Sequence, residues 1–79
     1  MEAYQERVVT EKSELDEKIK NLIAFSRGPV FEKLDIPEQV RLHRQLASMQ
    51  DYSTVLGERI SAFPKVPNKV VLEVKGVSK

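Results

Sequence analysis

The chain has 79 residues, with 13 basic and 12 acidic side chains, no cysteine and a single histidine, His43. A chain this short is one domain at most and buries only about 60% of its unfolded surface, so a self-sufficient core is marginal. Disulfides are excluded and a metal staple is unsupported, which leaves self-association as the supplement. The near-balance of charge argues against general nucleic-acid binding, which needs a basic excess.

The opening residues, Met1-Glu2-Ala3-Tyr4-Gln5-Glu6, have no basic n-region and no apolar run. No stretch approaches the ~18 apolar residues of a membrane span. The expectation is a cytoplasmic protein with no membrane insertion.

From Glu2 to Arg27 there is neither Gly nor Pro, and Tyr4, Val8, Leu15, Ile19 and Leu22 recur at helical spacing with Ile23 beside them. The pattern predicts one amphipathic helix. Val8-Val9-Thr10 is a β-branched run of low helix propensity, so fraying before Thr10 is allowed for. The helix is expected to end at Ser26-Arg27-Gly28-Pro29, with Gly28 as a left-handed cap and Pro29 blocking continuation. On its surface Glu14 can pair with Lys18 and Asp16 with Lys20, a solvated face rather than an acid/base pair, because two helices form no enclosing pocket by themselves.

Pro29-Val30-Phe31-Glu32-Lys33-Leu34 is a short connection, expected to hold one helical turn with Phe31 and Leu34 plugging the closed end of a hairpin. A second helix starts at Asp35-Ile36-Pro37-Glu38, where Asp35 caps and Glu38 can reach back as in a capping box. Its stripe is Leu42, Leu46, Met49, Leu56, Ile60 and Phe63, and it stops before Pro64. Gly57 within it weakens the helix but allows a close crossing. His43 beside Arg44 reads as a solvated flank, since a lone histidine lacks the partner that a metal site or a catalytic base needs.

Antiparallel pairing sets Leu22 against Leu42, Leu15 against Met49, Val8 against Leu56 and Tyr4 against Ile60. Between the second and third of these layers lie Glu11, Lys12 and Ser53, where an apolar pair is expected. Two readings of this polar notch stand. Lys12 either packs its stem and snorkels, or joins a buried contact that fixes register, or else the notch is a ligand or partner site.

After Pro64 the composition changes. Lys65, Lys69, Lys75 and Lys79 face only Glu73, and Val70, Leu72 and Val74 alternate, so residues 64–79 read as a basic tail or a short strand that pairs between subunits. The expected architecture is therefore all-α: an antiparallel two-helix hairpin over residues 1–63, with a short helical turn at its closed end, a C-terminal tail or strand, and an oligomeric assembly.

No phosphate loop, nucleophile elbow or His/Cys ligand set occurs, so no catalytic residue, metal or cofactor is expected. The chemistry that stands out is at the open end, where Tyr4 and Arg7 should approach Arg59 and Phe63, with Tyr52 about two turns along. Aromatic faces beside guanidinium groups suit nucleotides, by stacking the base and gripping phosphate. The plainer alternative is core-edge packing with an ion pair from Arg7 or Arg59 to Glu6 or Glu58.

Tyr4-Gln5-Glu6-Arg7-Val8, Glu11-Lys12, Leu15-Asp16-Glu17-Lys18, Met49, Tyr52, Leu56 and Arg59-Ile60 together resemble a family of very small proteins of tailed bacteriophages and prophages. In length and two-helix plan the chain also resembles the phage anti-CBASS and Thoeris anti-defence nucleotide sponges, oligomeric helical hairpins that sequester immune messengers. That resemblance implies a non-enzymatic anti-defence protein in the cytoplasm of a bacterial host. It would bind a cyclic oligonucleotide at pockets between copies of itself, with Tyr4, Arg7, Lys12 and Arg59 as ligand-binding candidates by type and location. The competing expectation is an interaction module that binds and blocks a host or phage protein through its exposed face or tail.

Overall fold

The computed structural model describes residues 1–64. Within them the chain forms α1 (Ala3–Ser26), a single turn α2 (Pro29–Glu32) and α3 (Ile36–Ser61), with no strand among the described residues. The helical hairpin expected from the periodicity is present. The tail or strand expected over 64–79 lies, beyond Pro64, outside the described residues.

The ends of the helices show what local chemistry decided. α1 begins without fraying: Gln5 Oε1 accepts from the backbone N–H of Glu2 at 2.8 Å, and Val8-Val9-Thr10 is helical throughout. Tertiary packing of Val8 overrides the weak propensity of that run. At the other end Arg27 N–H donates to Ala24 O and Gly28 N–H to Phe25 O, at 3.2 and 3.1 Å, and Ser26 Oγ donates to Ile23 O. These short-range bonds tighten the last turn and satisfy orphan carbonyls. Gly28 is not the left-handed cap that was expected; at φ −99° and ψ 172° it is extended and caps α2, where Pro29 occupies the first turn. Asp35 caps α3 by accepting from Glu38 N–H at 3.0 Å. The reciprocal half of a capping box is absent, because the Glu38 carboxylate pairs with Arg41 at 2.8 Å instead.

α1 and α3 pack along a seam whose centre is Val8, Leu15 and Leu56, with Ile19, Met49, Ile60 and Phe63 partly buried against it. Among the described residues Leu56 alone is completely enclosed. Leu22, Ile23, Leu42 and Leu46, which continue the seam toward the closed end, are only half-buried. Two helices in one layer give each apolar side chain cover from one neighbour, so the stripe is legible in sequence but incompletely shielded.

Toward the connection, Phe31 is buried and Leu34 half-buried, as the plug requires. Gln39 of α3 holds that turn in place, its Nε2 donating to the carbonyls of Phe31 and Leu34 at 3.0 Å each. His43 is not simply solvated: its ring stacks on Phe31 at 5.1 Å, and Phe25 meets Phe31 edge-on at 6.2 Å. Aromatic pairs favour these offset and T-shaped geometries.

Candidate functional site

The open end brings together part of the expected cluster. Tyr4 packs edge-on against Phe63, ring centroids 5.8 Å apart and planes at 77°. Tyr4 nevertheless remains 49% exposed, so it does not face Ile60 as an inward layer; the buried residue in that turn is Gln5. A glutamine goes inward there because its side-chain oxygen is already satisfied by the backbone of Glu2. Tyr4 is thus held by Phe63 while about half of the residue stays open to solvent.

Tyr52 and Arg59, seven residues apart, share one side of α3, and Phe63 follows just beyond the end of that helix. Tyr4 meets Phe63, and Tyr52 is exposed on α3. Arg59 lies in the last turn of α3, where the helix dipole favours a cation, and it is exposed. Arg7 is exposed on α1 and shares a shallow, open depression with Ala3, Glu6, Thr10, Glu11 and Glu14, all from the same helix. Neither arginine forms an ion pair among the described residues, so the plainer expectation of a bridge to Glu6 or Glu58 is not realised there.

Lys12 is placed elsewhere, two turns along α1 in the polar notch. Its Nζ donates to Asp16 Oδ2 at 2.8 Å and to Ser53 Oγ at 2.9 Å, and Ser53 Oγ in turn donates to Asp16 Oδ1. The three side chains close a ring across the helix interface, with Ser53 buried. Asp16, expected to pair outward with Lys20, turns to Lys12 instead. Its carboxyl is held below the ordinary range by the hydrogen bonds from Lys12 and Ser53. The stem of Lys12 reaches Ser53 across Gly57, where an added Cβ would lie 3.2 Å from Lys12 Cε. Two of the three ammonium donors are spent, one on the neutralising Asp16 carboxylate and one on the Ser53 hydroxyl, so this lysine offers an incoming anion far less than either arginine does.

Asp16 and Gln5 are the residues that sequence reasoning missed. The signal for Asp16 was its i,i+4 spacing to Lys12, equal to its spacing to Lys20; only the position of Ser53 on the facing helix breaks the tie.

Among the described residues no group of three or more His, Cys, Asp or Glu side chains is arranged to hold a metal ion, and no helix is long and apolar enough to cross a membrane. The family model described as Sequestin matches residues 2–62. The chain belongs to the Sequestin family. The matched span takes in both long helices, the polar ring and Tyr4, Arg7 and Arg59, and ends one residue short of Phe63. No curated protein and no solved structure matches the chain.

Proposed function

We propose that this chain is a non-enzymatic sequestering protein of a phage or prophage that takes up a cyclic oligonucleotide immune messenger in the cytoplasm of a bacterial host, at pockets completed by further copies of itself. The family's name suggests sequestration in its general sense. The observation that carries the ligand class is the set of exposed groups: the half-exposed rings of Tyr4 and Tyr52, and the exposed guanidinium of Arg59, seven residues after Tyr52 on α3, which no carboxylate engages among the described residues. A base stacks on a ring of this kind, and a guanidinium grips phosphate with paired hydrogen bonds.

The half-buried seam is what supports self-association. With Leu22, Ile23, Leu42 and Leu46 incompletely shielded, a second copy supplies the missing apolar cover and the far wall that an open ring face lacks. Binding alone suffices for sequestration, so no catalytic group is required. Tyr4, Arg7 and Arg59 are the contacts assigned to the ligand; Lys12, a candidate by residue type, is assigned instead to the hairpin itself.

Calorimetric titration of the full chain with a panel of cyclic di- and trinucleotides tests the reading, alongside Tyr4→Ala and the solution mass with and without nucleotide. Saturable binding that Tyr4→Ala weakens supports it. No heat from any member of the panel at micromolar protein rejects it, and capture of a host or phage protein in place of nucleotide would establish the interaction-module alternative.

A further inference from the structure

One side of α3 builds the seam, and the side left to solvent carries a pattern of its own. Val40, Arg44, Ala47, Ser48, Asp51 and Val55 fall at helical spacing on one face, and all six are exposed. Val40 and Val55 are each 49% exposed, apolar surface that burial against another molecule would stabilise. Arg44 and Asp51 form no ion pair among the described residues. No opposite charge stands three or four residues from either, which is the reach of a helix-surface pair. Seven residues separate them, roughly 10 Å along the axis, so they do not meet each other.

This face reads the same in both directions about a point between Ala47 and Ser48. Turned end for end, it sets Val40 on Val55, Arg44 on Asp51 and Ala47 on Ser48. A two-fold contact between identical surfaces needs that property, because each pairing then occurs twice. In an antiparallel contact between two copies of α3, Arg44 meets the partner's Asp51, and Val40 in the next layer meets the partner's Val55. The small side chains of Ala47 and Ser48 fall at the axis, where they let the helices come close. The two charges also penalise the alternatives. Shifting the partner by seven residues keeps the same face in contact but brings Arg44 onto the partner's Arg44 in one direction and Asp51 onto the partner's Asp51 in the other. A parallel pairing in register makes both clashes at once. Like charges opposed across an interface cost more than an exposed ion pair gains.

We infer that the exposed face of α3 is an interface with a second copy of this chain, two-fold and antiparallel, with Arg44 and Asp51 setting its register. The valine layers supply apolar burial, and the crossed ion pairs supply the choice of partner and register. This contact is separate from the half-buried seam of Leu22, Ile23, Leu42 and Leu46. It gives the proposed self-association a definite surface, rests on that reading for the presence of further copies, and needs no nucleotide.

Sedimentation equilibrium of the full chain over a concentration series, without nucleotide, tests the contact, with far-UV circular dichroism as the check on folding. The parent is expected to self-associate. Arg44→Asp and Asp51→Arg each oppose like charges twice across the axis, so each should weaken association about tenfold or more with helicity kept. Arg44→Asp/Asp51→Arg exchanges the signs and should return association toward that of the parent. An equimolar mixture of the two single variants should associate more tightly than either alone, since every facing pair is then opposite in charge. Should a reversal lower helicity, Arg44→Gln and Asp51→Asn take its place, with the same weakening in smaller measure. A parent that associates equally well with either charge reversed or neutralised overturns the contact and leaves self-association standing. A double variant no better than the single ones overturns the pairing of Arg44 with Asp51. A parent that stays monomeric at every concentration overturns both the contact and the self-association on which it rests.

Discussion

Ser53 on α3 donates a hydrogen bond to Asp16 on α1, joining residues 37 apart in the chain, and the same hydroxyl accepts from Lys12. This junction makes stability respond to acid. Asp16 titrates below its ordinary value of 3.8 because Lys12 and Ser53 stabilise its charged form. Its contribution is fully present above that value and is lost as pH falls through the lower folded-state value. Thermal melts of the parent should therefore weaken on acidification below the ordinary carboxylate range, and Asp16→Asn should flatten the part of that dependence that Asp16 supplies. Equal acid sensitivity in parent and variant would show that the bonds do not form in solution.

Leu56 is the one fully enclosed side chain among the described residues, so the seam is most vulnerable there. Leu56→Ala should cost about 2–5 kcal/mol, the range for removing a buried leucine side chain. In so small a hairpin that loss unfolds much of the population. Chemical denaturation followed by circular dichroism measures it, and a cost well below this range would mean that the seam collapses around the gap.

Gly57→Ala sets two effects against each other. Alanine favours the helix by up to about 1 kcal/mol, while its methyl meets Lys12 Cε at 3.2 Å. The lysine stem is flexible and gives way, so a small net stabilisation is expected, with the methylene shifts of Lys12 displaced. A β-branched residue adds bulk that the stem has no room to avoid, and Gly57→Val should destabilise.

For ligand uptake, Arg59→Ala should weaken nucleotide binding about tenfold or more, and lysine should restore it only in part, since an ammonium cannot reproduce a forked pair of bonds. Arg59 is exposed and contributes little to the core, so the melting temperature should move far less than affinity. Parallel titration and melting of Arg59→Ala and Arg59→Lys separate the two roles; equal losses of affinity and stability would count against a ligand contact.

The parts of this protein that follow from short-range rules could be read from the chain before any coordinates. Helical spacing marked both long helices, Asp35 marked the start of the second, and Pro29 and Pro64 bounded them. The seam residues Val8, Leu15, Met49 and Leu56 could be paired across the hairpin because a short connection permits only antiparallel neighbours. What could not be read was every choice settled by the facing helix. Asp16 had lysines at equal spacing on either side, Gln5 and Tyr4 competed for one inward position, and His43 had no visible reason to meet Phe31. Gly28 followed a common capping pattern yet sits extended, because a further helical turn begins immediately after it. At the candidate site, residue type identified Tyr4 and Arg59, but only the folded hairpin shows Tyr4 packed on Phe63 and still half-exposed.

The single-layer pairing of α1 and α3 also governs how this molecule can meet another. Slender rods touch along a line, so a small error in crossing angle parts their ends by several ångström while the middle stays in contact. Any assembly that uses the full length of the hairpin must therefore be aligned more strictly than one between rounded bodies, and a substitution near either tip should disturb it out of proportion to the area it removes.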